Sequence, residues 1–167
     1  MCAHSSSGAE ITEKIGAKLY PFIDGLFKEI TDYVNHTSIC SQADRIFEQI
    51  FTLKSEFESL KNYELKLVFP SVLKVFNTKD NPDARPNINI TELQQLTHKK
   101  EQAIMDLVNE IESEAEQIQL PRTHPVYPLL FVFQTSFAQD KEEWNRMLQG
   151  WNKSCACFSA ANHHHNN

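Results

Sequence analysis

The sequence predicts an all-α protein, an antiparallel up-down-up-down bundle of four helices. Three observations predict it. Glycine and proline are scarce, at 4 and 7 of 167 residues. The prolines bunch at Pro82/Pro86 and Pro121/Pro125/Pro128. The long segments between these breaks carry apolar residues at steps of three and four, the spacing of one helix face.

The first segment is expected over residues 10 to 35, where Ile11, Ile15, Leu19, Phe22, Leu26, Ile30 and Tyr33 form its apolar stripe. Pro21 should kink it or start a new turn, because proline lacks the N–H that a helix interior uses. The second segment is expected over 41 to 76, with Ser41 as N-cap and Ile46, Ile50, Leu53, Phe57, Leu60, Glu64 and Leu67 along the seam. Pro70 should bend it near its end without stopping it.

The stretch "NTKDNPDARPNIN" reads as a loop. Thr91 then caps a third helix over 91 to 118, carrying Leu93, Thr97, Lys100, Ile104, Leu107, Ile111, Ala115 and Ile118. The fourth segment opens at "PRTHPVYP" and runs over 125 to 150 through Leu130, Phe133, Phe137, Asp140, Trp144, Met147 and Trp151. Residues 10–151 therefore read as one bundle domain, flanked by a disordered N-terminal tail (1–9) and a flexible C-terminal tail (152–167). Helix crossings of about 20° are expected for such packing.

Composition narrows the function classes. With 41% hydrophobic and 23% charged residues the chain can bury one ordinary core. Acidic residues outnumber basic ones by 22 to 16, for a net charge of -6, and no Lys/Arg cluster is long enough to neutralise a row of phosphates. Nucleic acid is not an expected partner. No window has the apolar length of a membrane span, and "MCAHSSSGAEITEK" lacks a basic start followed by an apolar stretch. An intracellular protein, cytoplasmic or nuclear, is expected. Cys2, Cys40, Cys155 and Cys157 are not placed to staple distant elements, and the sequons at Asn35, Asn89 and Asn152 have no consequence without a secretory signal.

Two carboxylates fall on apolar seams, Glu64 and Asp140. A buried carboxylate must reach water, pair with a neighbouring base, hold its proton or bind a metal. Bundle interiors are where helix-borne carboxylates and histidines converge on metal pairs.

The stretch "YELKLVFPSV", followed after a loop by "LTHKKEQAIMDLVNEIE", resembles the hemerythrin-like, or HHE cation-binding, family. Its cadence is similar to the repeats of Brutus-type iron-regulating ubiquitin ligases. The resemblance spans residues 10 to 150 in helix number and loop order, and implies a hemerythrin-like bundle with a role in iron homeostasis. In that family the second helix carries His-x-x-x-Glu before Leu-Phe-Pro, and the third a ligand histidine. The resemblance aligns Glu64 with the bridging carboxylate and His98 with the third-helix histidine.

The departures are in the other ligands. Leu60 stands where the second-helix histidine belongs, and Asp24 lies near the place of the first-helix histidine. The fourth helix, where the family has His-x-x-x-Glu, offers Ser136 or Phe137 followed by Asp140 or Lys141. At 100° per residue Asp24 lies roughly 150°, and His98 roughly 135°, from its helix's apolar stripe. Only Glu64 and Asp140 point inward.

A di-iron centre therefore lacks its histidines. What remains is either no metal or a single divalent ion, iron among the candidates, held by Glu64, Asp140 and His98. The main expectation is a non-enzymatic regulatory or protein-interaction module; the alternative is an iron-binding or iron-sensing domain with this reduced site. Without metal, Glu64→Gln is expected to leave stability unchanged or raise it.

Other features are weaker. His36 and His124 read as loop or surface residues. "CAC" with His163, His164 and His165 has soft-metal chemistry but lacks the second spaced pair of a structural zinc site. The run "YPLLFVFQTSF" covers more than one helix face and could serve a protein partner. No Gly-x-Ser-x-Gly elbow, phosphate-cradling glycine loop or cysteine beside a base is present, so no enzyme is expected.

Overall fold

The computed structural model describes residues 7–37, 44–78 and 88–161. Among them every long element is helical and none is a strand. Four helices cover residues 8–36, 44–77, 90–117 and 126–161; the bounds are close to those expected except for the end of the fourth, which extends into the stretch expected to be a flexible tail. Cys2, Cys40, Ser41 and His163 to His165 lie outside the described residues, as do the side chains of Cys155 and Cys157.

The first helix starts at Gly8, inside the expected tail, because Ser7 and Glu10 form a reciprocal capping box: Ser7 Oγ accepts from the Glu10 N–H at 3.2 Å and the Ser7 N–H donates to Glu10 Oε2 at 2.9 Å. The third helix is capped by Asn89 rather than Thr91, with Asn89 Oδ1 accepting from the Glu92 N–H at 3.1 Å. The fourth helix continues past Trp151 to Ala161. No proline lies beyond Gly150 to stop it.

Three helices contain a wide π-turn, at Lys14–Leu19, Glu64–Val68 and Phe133–Phe137. In each, an N–H reaches the carbonyl five residues back: Tyr20 to Ile15, Phe69 to Glu64, and Ala138 to Phe133. Pro21 and Pro70 directly follow the first two. In a regular turn the proline ring would collide with the carbonyl four residues earlier, and the wider turn relieves that contact.

A π-turn also inserts a residue, so the buried positions beyond it fall later than a straight helix predicts. Ile23 is buried while Phe22 is 57% exposed, and Val68 is buried while Leu67 is 46% exposed. In the fourth helix Lys141 joins Asp140 in the interior. The third helix has no wide turn, but buries Glu101 and Val108 in place of Lys100 and Leu107, the other seam compatible with the same alternating steps.

The core is aromatic on both sides of the bundle's middle. Phe57 meets Tyr20, Phe27 and Phe133 at centroid distances of 5.3, 5.8 and 5.7 Å, and Phe69 meets Trp144 edge-on at 5.0 Å. The first two helices approach closely where Gly16 faces Leu65; a Cβ there would lie 2.9 Å from Leu65 Cδ2. His124, expected at the surface, is buried against Tyr33 and Phe47, and its Nδ1 accepts from the Val126 N–H at 3.2 Å. Burial lowers its pKa, so the ring is kept neutral. His36 is exposed.

Candidate functional site

Each of the four helices contributes one ionisable side chain to a single buried cluster: Tyr20, Glu64, Glu101 and Lys141. Two of the four adjoin a π-turn directly. Tyr20 closes the first such turn and Glu64 opens the second, while Lys141 lies one helical turn beyond the third.

Lys141 Nζ donates to both oxygens of Glu64 and, at 2.6 Å, to the hydroxyl of Tyr20. The Tyr20 hydroxyl in turn donates to Glu64 Oε2, which closes a three-membered ring of hydrogen bonds. Glu101 is the second carboxylate near the ammonium, with Oε1 3.7 Å from Nζ, and its Oε2 accepts from Asn145 Nδ2 at 3.1 Å. The rings of Tyr20, Phe69 and Phe137 lie 5.2, 5.9 and 5.5 Å from Nζ, so the ammonium is faced by π-electron density where it is not faced by carboxylate.

Burial sets the protonation of the two outer groups. It raises the Tyr20 phenol well above 10.0, helped by the adjoining negative charge of Glu64, so Tyr20 stays a donor. Burial also raises Glu101 above its ordinary value, partly offset by Lys141 and reinforced by Glu64.

The three residues proposed from sequence as metal ligands are held apart. Glu64 faces inward, fully buried, and is paired with Lys141. Asp140 also faces inward, but its Oδ1 is 2.6 Å from Lys14 Nζ, whose pKa is raised mainly by that bond. His98 is 68% exposed at its side chain and lies 3.9 Å from Glu101 Oε2. Asp24 is bound at the surface by Lys61, at 2.8 Å to each oxygen.

Among the described residues no three His, Cys, Asp or Glu side chains are grouped to hold a metal ion. A divalent ion placed about 4 Å from the Lys141 ammonium would be repelled by about 8 kcal/mol at an effective dielectric near 20. A metal at Glu64 requires Lys141 to move away or to lose its proton.

Sequence reasoning placed Glu64 in the interior but assigned it no partner. Glu101, Tyr20 and Lys141 were missed. The available signal was the third-helix register that runs Thr97, Glu101, Ile104, Val108, Ile111, Ala115, which places an acid on a seam as clearly as Glu64 does. For Lys141 the signal was its place four residues after Phe137 and three before Trp144, the spacing of one helix face. The partner also alters the expected effect of Glu64→Gln: removing a charge that is matched by a buried ammonium destabilises the fold.

The chain matches no family model, and no curated protein and no solved structure is found similar to it. Among the described residues no helix is long and apolar enough to cross a membrane.

Proposed function

We propose that this chain is a hemerythrin-like bundle of antiparallel, up-down-up-down helices in which Lys141 takes the place of a metal, and that it works as a regulatory or protein-interaction module, not as an enzyme. The observation that carries this reading is the ion pair of Lys141 Nζ with Glu64, buried in the interior with Glu101 3.7 Å from the same ammonium. The carboxylate aligned with the family's bridging ligand is neutralised by a side chain of the same chain, so the core needs no ion to balance it.

Contacts between helix ends support the reversal of each neighbour. The start of the first helix meets the end of the second at Gly8 and Phe76, and its end meets the connection leading into the fourth at Tyr33 and His124. Arg45 near the start of the second helix pairs with Glu114 near the end of the third at 3.8 Å. Exposed Phe22, Phe51, Leu96 and Phe131, the last at 65%, supply apolar area for a protein partner.

The test is elemental analysis of protein expressed with iron and manganese supplied, together with thermal melts with and without chelator. Metal well below stoichiometric amounts and a chelator-insensitive melt are expected. A stoichiometric ion whose removal lowers the melting temperature would show linkage of metal binding to folding and would overturn the proposal.

A further inference from the structure

The connection between the third and fourth helices is pinned by its main chain. Gln119 takes a positive φ of 54° that turns the chain out of the third helix, and the Leu120 N–H returns to the Ala115 carbonyl at 2.9 Å. The His124 N–H donates to the Pro121 carbonyl at 2.9 Å, and the Tyr127 N–H donates to the His124 carbonyl at 3.2 Å.

Held in this way, His124 is buried against Tyr33 of the first helix and Phe47 of the second, at centroid distances of 4.7 and 5.9 Å. Its Nδ1 accepts from the N–H of Val126, the first residue of the fourth helix. An N–H in the first turn has no acceptor within its own helix. One neutral imidazole, with its proton on Nε2, therefore joins the start of the fourth helix to the end of the first and the start of the second.

Protonation undoes this bond. Nδ1 then carries a hydrogen aimed at the Val126 N–H, and the new charge lies at a helix N-terminus, where the dipole disfavours a cation. The titratable group packed on the ring is the Tyr33 phenol, and the charged groups of the neighbouring elements pair with one another. On the first helix Asp32 pairs with Lys28, and the exposed His36 bonds the Asp32 carbonyl. Arg45 of the second helix pairs with Glu114 of the third, while Glu48 is exposed. Arg122 of the connection pairs with Glu116 and lies over the Tyr127 ring.

We propose that His124 is an acid-sensitive latch: neutral, it fastens the fourth helix to the first and second, and on protonation the ring leaves its seat and this corner of the bundle opens. Burial makes the closed form hold the proton less tightly than the open form, in which the ordinary value is 6.5. The latch is therefore fully effective above 6.5 and is lost as pH falls through the lower, closed-state value. It lies apart from the Lys141 cluster and does not rest on the metal content that tests the proposed function.

The experiment follows the isotope-labelled full chain by NMR at pH values on both sides of 6.5. It reads the ring nitrogens of His124 and the hydrogen-exchange protection of the Val126 and Tyr127 amides, corrected for the intrinsic pH dependence of exchange. The Nε2–H tautomer is expected at neutral pH, with a titration midpoint below 6.5. Protection of both amides should fall with the same midpoint, by up to about tenfold per pH unit. In His124→Asn, whose carbonyl oxygen can accept from Val126 without titrating, this acid-dependent fall should vanish. Should that variant fail to fold, His124→Phe keeps a ring without a titrating group, and the Tyr127 amide should again lose its acid dependence. A midpoint at or above 6.5, a His124 titration that leaves both amides equally protected, or an acid-dependent fall that persists in a folded variant would overturn the proposal.

Discussion

Lys141 and Glu64 form a two-pronged ion pair out of contact with water, with side-chain exposures of 4% and 0%. Residues 77 positions apart in the chain are thereby joined across the second and fourth helices. Such a pair is a weak source of net stability but an expensive one to break, because each desolvated charge has been placed to satisfy the other.

Lys141→Met is expected to lower stability by about 3–5 kcal/mol, since it leaves the Glu64 carboxylate buried and uncompensated. Glu64→Gln is expected to act in the same direction and more weakly, because a carbonyl oxygen still accepts from Lys141. Combining Lys141→Met with Glu64→Met should recover most of the loss, as apolar replacement of a buried pair is often neutral. Urea unfolding of the three variants checks this; a double variant as unstable as Lys141→Met alone would show that the loss came from packing rather than charge.

Glu101 makes a prediction about pH. Its folded pKa is raised above 4.5, chiefly by burial, so the folded state holds the proton more tightly than the unfolded chain does. Its contribution to stability is therefore fully present below the unfolded value and is lost as pH rises through the folded value. Glu101→Gln should remove that fall and raise stability at neutral pH by up to about 1 kcal/mol. Urea midpoints measured at several pH values on both sides of 4.5 test it, and a difference between wild type and variant that does not vary with pH would refute the assignment.

Tyr20 makes a third. The chain has 4 tyrosines, and only Tyr20 is both fully buried and bonded to a carboxylate. Because its folded pKa lies well above 10.0, stability is present below the unfolded value and is lost as pH climbs past it. In an alkaline absorbance titration Tyr20 should ionise only together with unfolding, as a late phase. Tyr20→Phe should abolish the late phase; a late phase that persists in the variant would assign it elsewhere.

Much of the fold was legible in the sequence because helices announce themselves locally. Apolar residues at steps of three and four, few glycines and clustered prolines located four helices, with every bound but the end of the fourth within a few residues, and Glu64 was recognised as an interior carboxylate from its place between Leu60 and Leu67. The misplacements at Phe22 and Leu67 share one cause. Phe22 lies just beyond a π-turn and Leu67 within one, where an added residue shifts the helix phase, and a pattern read at constant phase carries no trace of that shift. His124 was misread for a different reason. It belongs to a connection, and it is buried by Tyr33 and Phe47 from other helices.

The sequence by itself determined an all-helical chain with an acid turned into its core, because amphipathic periodicity decides which face of a helix leaves water. Only the tertiary structure decided what meets that acid. Glu64 has four available fates as long as its helix is considered alone, and the choice among them depends on the side chains brought beside it by the other three. The fourth helix brings the Lys141 ammonium, the first supplies the Tyr20 hydroxyl, and the third places a Glu101 oxygen 3.7 Å from that ammonium. Asp140 was resolved in the same way, by a lysine 126 positions away in sequence, from 140 and 14, whose approach no local pattern encodes.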